Sequence, residues 1–216
     1  MSGGTPIDIA TWARAPQYRL FRGFQHPHYA TTVRMDVTAL MAAKAAHGVS
    51  PYRGCLFAIG NGLNAVPELR VRFKGDVVTQ NERVGLSMTV PRADGTFGFG
   101  YLEFDADFDR FDAAAMAEIA RARTAAIEPD KDGRNDLAYL SCTPWLDYVS
   151  ITNAMPSPED CIPRIGWGKI VPEGGGRFAM SMTIEVHHAI ADGLHVGMFF
   201  DAVKTTLDGF PLTRSA

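Results

Sequence analysis

Residues 181–200 read "SMTIEVHHAIADGLHVGMFF". An alternating apolar run ends in two histidines, His187 and His188, and Asp192-Gly193 follows. Imidazole is the side chain best suited to taking and returning a proton near neutral pH. On a strand, successive side chains point to opposite faces. Met180, Met182, Ile184, Val186 and His188 then share one face, and Ser181, Thr183, Glu185 and His187 share the other. His188 emerges where the apolar face ends, a setting that disfavours the charged ring and suits a general base. Asp192 stands where a strand gives way to a helix, so it can cap that helix or pair with a distant arginine. A satisfied core histidine followed by a helix cap accounts for the same residues without chemistry, and spacing leaves both readings open. A metal site would need His187, His188 and Asp192 or His195 to converge. Adjacent strand histidines diverge, so no metal is expected.

The elements that must position these residues are legible from periodicity. An extended piece and a helix come from "IDIATWARAPQYRLFRGF", with Pro16 in the first helical turn. "HYATTVRMDVT" alternates as a half-buried strand. "ALMAAKAAHG" predicts a helix ending at Gly48, and the next helix is expected to start with Ser50 as its cap and Pro51 as its first residue. Hairpins are expected at Lys74-Gly75-Asp76, near Asp94-Gly95, and through Gly174-Gly175-Gly176. A long amphipathic helix follows from "FDRFDAAAMAEIARARTAAI", strands from "DLAYLSCTPW" and "YVSIT", and a closing helix from "GLHVGMFFDAVKTTLDG". Several strands with about four helices, without strict βαβ alternation, predict an α/β two-layer sandwich, a large mixed sheet covered by helices.

The chain has 216 residues, 46% hydrophobic and 21% charged, which suits one domain over residues 1–216 with a substantial core. A net charge of −3 without a basic block argues against nucleic acid and anionic membranes as partners. No apolar run is long enough to span a bilayer and no secretory leader heads the sequence, so a cytoplasmic location is expected. Cys55, Cys142 and Cys161 have no metal or disulfide spacing and read as reduced thiols.

The run "HHAIADGLHVGMF" resembles the HHxxxDG signature of the chloramphenicol acetyltransferase family. The likeness extends over nearly the whole chain, in order, through "IDIATWARAPQYRLF", "VRMDVTAL", "AVPELRVRFKGDVV" and "LSCTPWLDYVSI". It implies transfer of acetyl from acetyl-CoA to a small hydroxyl acceptor, chloramphenicol or another, by a homotrimer. In such a trimer each site lies between neighbours, the base from one subunit and much of the acceptor pocket from the next. By the same resemblance His188 is the base, Ser150 steadies the oxyanion, and Asp192 pairs with Arg14. Lys169 lies near the cofactor, and Phe21 replaces a helix tyrosine that touches the antibiotic. Arg164 and Arg177 are further candidates for the CoA phosphates, and Phe97, Phe99 and Tyr101 for the acceptor pocket. Gly166 replaces a threonine that helps hold a water, and Asp147 stands where Asn or Ser is usual. A carboxylate there opposes an oxyanion unless it points away or meets a cation. These departures favour O-acetyl transfer over any particular acceptor. The alternative is a weak or inactive member that binds acyl-CoA or a small ligand. A 2-oxo-acid dehydrogenase core would need a lipoyl domain and linker, and a serine hydrolase a GxSxG elbow; the sequence has neither.

Overall fold

A computed structural model of the chain describes residues 4–127 and 134–210. Strands β1 (Thr5–Pro6), β3 (Val71–Lys74) and β4 (Val77–Gln80) form a small sheet in the order β1-β4-β3. The large sheet has seven strands. Its main path runs β2 (His28–Asp36), β10 (Arg177–His187), β8 (Arg164–Trp167), β7 (Leu137–Cys142), β5 (Gly85–Pro91) and β6 (Phe97–Leu102), and β9 (Val171–Gly174) pairs with β10. The β5–β7 and β7–β8 pairs are parallel and the others antiparallel, which makes the sheet mixed. The five described α-helices are α1 (Ala15–Arg22), α2 (Thr38–His47), α3 (Pro51–Ala65), α4 (Phe108–Ala122) and α5 (Gly193–Asp208).

Local chemistry sets the ends of these elements. The Ser50 hydroxyl accepts from the Arg53 N–H and caps α3, with Pro51 at the first helical position. Asp107 caps α4 in the same way. The β9–β10 turn runs through Gly174, Gly175 and Gly176, all at positive φ, which only glycine adopts without strain over three residues.

Pairing register divides the large sheet into two unlike faces. Val33, Met35, Met180, Met182, Ile184, Val186, Ile165, Trp167, Leu140, Leu86, Met88 and Val90 face the helices and build the main core. The opposite face carries Thr32, Arg34, Ser181, Thr183, Glu185, His187, Arg164 and Ser141. On β10 this face is buried too, as all of Ser181, Thr183, Glu185 and His187 are. Alternation of residue type therefore did not mean alternation of exposure. A second cluster, of Tyr18, Val71, Phe73, Val78, Cys161, Ala189 and Ile190, packs α1 and the small sheet against the end of β10. Arg72, fully buried, donates to the carbonyls of Leu69, Val71 and Leu137, joining the small sheet to β7.

One strand expectation fails. Residues 148–152 are irregular rather than extended. Every strand near them already has its neighbours: β8 lies between β10 and β7, and β10 also carries β9. With no ladder to join, the segment crosses the polar face of the sheet, and the Tyr148 carbonyl accepts a hydrogen bond from the Ser181 hydroxyl instead.

The glycines of β6 permit close approach of α4. A Cβ at Gly98 would lie 2.2 Å from the Ala122 carbonyl oxygen, a backbone atom that cannot swing away. Gly98→Ala is expected to cost about 3 kcal/mol through overpacking, read as a fall in the denaturant midpoint at unchanged slope. Unchanged stability would mean that the end of α4 yields.

Candidate active site

β10 ends at His187, and His188 is the first residue of the turn into α5. The His188 N–H donates to the Pro27 carbonyl at 2.8 Å. A single guanidinium then closes the turn. Arg14 donates from Nη2 to the His188 carbonyl (2.9 Å), from Nε to the Ala189 carbonyl (3.0 Å), and from Nη1 to Asp192 Oδ2 (2.7 Å). The other carboxylate oxygen accepts from the Leu194 N–H and caps α5. Asp192 thus performs both roles that the sequence left open. Burial pushes its carboxyl up, but Arg14, His195 and the cap hydrogen bond outweigh burial and hold it below the usual carboxylate range. The pair is intact at neutral pH and is lost only as pH falls through that lowered value.

Two aromatic rings hold the His188 imidazole. Phe21 of α1 stacks on it, with centroids 3.8 Å apart and planes 6° from parallel. Tyr29 of β2 lies at 4.8 Å and 45°. Neither ring nitrogen makes a hydrogen bond among the described residues, and Nδ1 is fully covered. Nε2 is therefore the nitrogen left to meet a substrate. Phe21, expected to touch the acceptor, is thus in contact with His188. Tyr29 was missed by the sequence reading. It is the cross-strand partner of Val186 and so shares the His188 face, a relation that exists only once the β2–β10 register is known. Its hydroxyl is buried without a hydrogen-bond partner among the described residues, and burial first, then the Asp192 charge, pushes the phenol up to about 12. It stays protonated at neutral pH.

His187 is the satisfied core histidine. Its Nδ1 accepts from the Ala189 N–H at 3.1 Å, which places the proton on Nε2, and Nε2 donates to the Pro158 carbonyl at 2.9 Å. His28, its partner across the strands, lies edge-on at 5.0 Å and contacts the Asp160 carbonyl. Burial, then the nearby His28, lowers His187 to about 4 from the ordinary 6.5. The unfolded chain therefore takes this proton before the folded one does. The stability due to neutral His187 is complete above about pH 6.5, and roughly 2–3 kcal/mol of it is lost by about pH 4. Denaturant midpoints between pH 7 and 4.5 should fall accordingly, and the His187 part of that fall should vanish in His187→Gln.

Ser150 is exposed and makes no hydrogen bond, to His188 or to any other group, among the described residues. Nearby Tyr148 is fastened at Ser181 and Thr183. Thr183 lies five residues before His188 on an extended strand, roughly 16 Å away. Trp145 (73% exposed), Leu146 and Val149 (89%) surround Ser150 with uncovered apolar surface. Asp147 has found its cation: Arg34 Nη1 lies 2.6 Å from its carboxylate, and Arg34 Nε also holds Glu173 at 2.8 Å. Sequence reasoning did not single out Arg34, although it stands on the polar side of an alternating strand.

The cationic candidates separate. Lys169 is exposed just after β8, with no ion pair among the described residues. Arg164 is buried, bonded to Asp160 at 2.8 Å and stacked over Tyr139, so it is structural and not a phosphate ligand. Arg177 pairs with Asp36 at 3.2 Å. Phe97, Phe99 and Tyr101 lie on β6, the edge of the sheet opposite β2, and are remote from His188 in the same chain. The three cysteines are free thiols. Among the described residues no group of three or more His, Cys, Asp or Glu is placed to hold a metal, and no helix is long and apolar enough to cross a membrane.

Residues 3–204 match the family described as chloramphenicol acetyltransferase. The chain is similar to the chloramphenicol acetyltransferase of Proteus mirabilis, 23% identical over 205 residues covering 94% of each chain. Among solved structures it is similar to a chloramphenicol acetyltransferase, with a TM-score of 0.85 and 27% identity over 93% of this chain and 98% of the other. The dihydrolipoamide acetyltransferase of Azotobacter vinelandii shares the fold, with a TM-score of 0.66 and 17% identity over 90% of this chain and 86% of the other.

Proposed function

The chain belongs to the chloramphenicol acetyltransferase family and is an acyltransferase; from that premise we propose that it moves acetyl from acetyl-CoA to a small hydroxyl compound, with His188 as general base. The carrying observation is an imidazole locked at the end of a buried strand with Nε2 free. The acceptor hydroxyl gives its proton to Nε2 as its oxygen bonds to the thioester carbonyl carbon. The C–S bond breaks, and the proton passes from Nε2 to the departing sulfur. For Nε2 to accept, the ring proton must sit on Nδ1, where the chain offers it no acceptor. Orientation therefore comes from the Phe21 stack and from the Arg14 clamp on the main chain. A base fixed in this way contributes on the order of 10²–10⁴ in rate.

Ser150 supplies the hydroxyl that steadies the developing oxyanion. Since it lies remote from His188 in its own chain and amid exposed apolar side chains, the site we infer joins two copies, as in a homotrimer. A neighbour covering Trp145 and Val149 brings its own His188 to Ser150. Lys169, exposed and without an ion pair among the described residues, is the cation we assign to the CoA phosphates. The cytoplasm, where acetyl-CoA is made, is the location this reading requires.

An acceptor screen for thiol release from acetyl-CoA, with chloramphenicol and a panel of small alcohols and sugars, tests the proposal. Release that depends on both acetyl-CoA and an acceptor supports it. Binding of acetyl-CoA by calorimetry without release on any acceptor supports the inactive alternative. The Arg34–Asp147 pair weakens one argument for that alternative, because the carboxylate meets a cation, which it shares with Glu173.

A further inference from the structure

The chain from Asp147 to Ile151 crosses the polar face of the large sheet as an arch on two feet. The first foot is Tyr148. Its carbonyl accepts from the Ser181 hydroxyl. Its own hydroxyl lies 3.4 Å from Thr183 Oγ1, which lies 2.7 Å from Thr32 Oγ1 across the β2–β10 pair. The ring rests where two glycines leave room. A Cβ at Gly168 would stand 2.6 Å from the Leu146 carbonyl oxygen and 3.1 Å from two carbons of the ring, and a Cβ at Gly166 would stand 3.6 Å from its hydroxyl. The second foot is Ile151, whose Cγ2 is 3.7 Å from that same Gly166 position. Between the feet, Val149 and Ser150 are exposed and make no hydrogen bond among the described residues. Before the first foot, Asp147 is tied to Arg34.

Two free residues between fixed feet have few conformations available, so the direction of Ser150 is set by where Tyr148 sits. We propose that Tyr148 is the positioning residue for Ser150, and that the bare Gly166 leaves room for the Tyr148 hydroxyl. This rests on reading Ser150 as the oxyanion donor. A Cβ alone fits at Gly166, but any atom beyond it competes with the phenol. The glycine that left a catalytic hydroxyl missing in the sequence is, in the fold, the seat of a tyrosine.

Two measurements on the intact protein test the inference. In the first, backbone ¹⁵N order parameters of Val149 and Ser150 are compared between wild type and Tyr148→Ala. They should fall from about 0.85 to below about 0.6 while those of β10 hold. Unchanged order parameters overturn the proposal whether or not an acceptor is known. Should Tyr148→Ala fail to fold, Tyr148→Phe carries this arm, with a smaller fall of about 0.1 from the lost contact to Thr183.

The second is a double-mutant cycle on turnover. Ser150→Ala should lower kcat about 10²-fold. Tyr148→Ala should lower it comparably while leaving KM for acetyl-CoA within about twofold. The double variant should be no worse than the poorer single one, since both act through one hydroxyl. Losses that multiply sink the role of Tyr148 and leave that of Ser150 standing. A Ser150→Ala enzyme at wild-type turnover sinks the oxyanion reading itself, while the order parameters still decide whether Tyr148 holds the arch.

Discussion

His188→Ala should release no CoA above the uncatalysed background with any acceptor that the wild type uses, a loss of at least about 10³ in kcat/KM. The fold should survive the change. The imidazole makes no hydrogen bond, so its removal orphans no partner, and the turn is held through main-chain carbonyls that alanine retains. The lost stacking on Phe21 is worth about 1 kcal/mol. Acetyl-CoA should still bind, since nothing assigns His188 to the nucleotide. Thiol release followed with a chromogenic disulfide, beside calorimetric binding of acetyl-CoA, separates these statements. Wild-type-like turnover by the variant would remove general-base catalysis by this residue. Loss of binding together with turnover would show that His188 holds the substrate rather than deprotonating it. The Phe21 stack predicts a graded companion: Phe21→Leu keeps an apolar contact but not a flat one, and should lower kcat about tenfold through a less well-placed base.

Arg14→Ala should damage stability and activity together. One guanidinium serves the carbonyls of His188 and Ala189 and the Asp192 carboxylate. Its side chain is 11% exposed and that of Asp192 35%. Removing it leaves two carbonyls and a partly buried carboxylate without their donor, a cost of about 3 kcal/mol. Turnover should fall about 10²-fold, because the main chain that carries the base is no longer fixed. Arg14→Lys separates charge from shape. A lysine can neutralise Asp192 but cannot present three donors in a fork. It should restore most of the stability and little of the turnover. Full rescue of both by lysine would mean that the ion pair alone matters. Denaturant midpoints and kcat, measured on the three proteins, decide between them.

Much of the fold was legible because its signals are local. The cap at Ser50, the glycine turns and the alternation of β10 each involve residues a few positions apart, and each element formed where its signal lies. The exception at residues 148–152 is instructive. Alternation there satisfies a strand pattern, but a strand exists only if an edge is free to pair with it, and that is a property of the assembled sheet.

The candidate site divides along the same line. The order of residues alone set His188 at the end of an apolar strand face, Asp192 at a helix start, and Arg14 on the N-terminal segment that resembles the family. Only the folded chain decided that Phe21 stacks on His188, that Tyr29 shares its face, that Arg34 meets Asp147, and that Arg164 is consumed by Asp160. The contacts that join Arg14 to Asp192 and Asp147 to Arg34 cross more than a hundred residues of sequence. Periodicity and capping fix which way a side chain points from its own backbone. They cannot fix which backbone it will meet, because that follows from strand register and layer packing, set by the burial of the whole core at once.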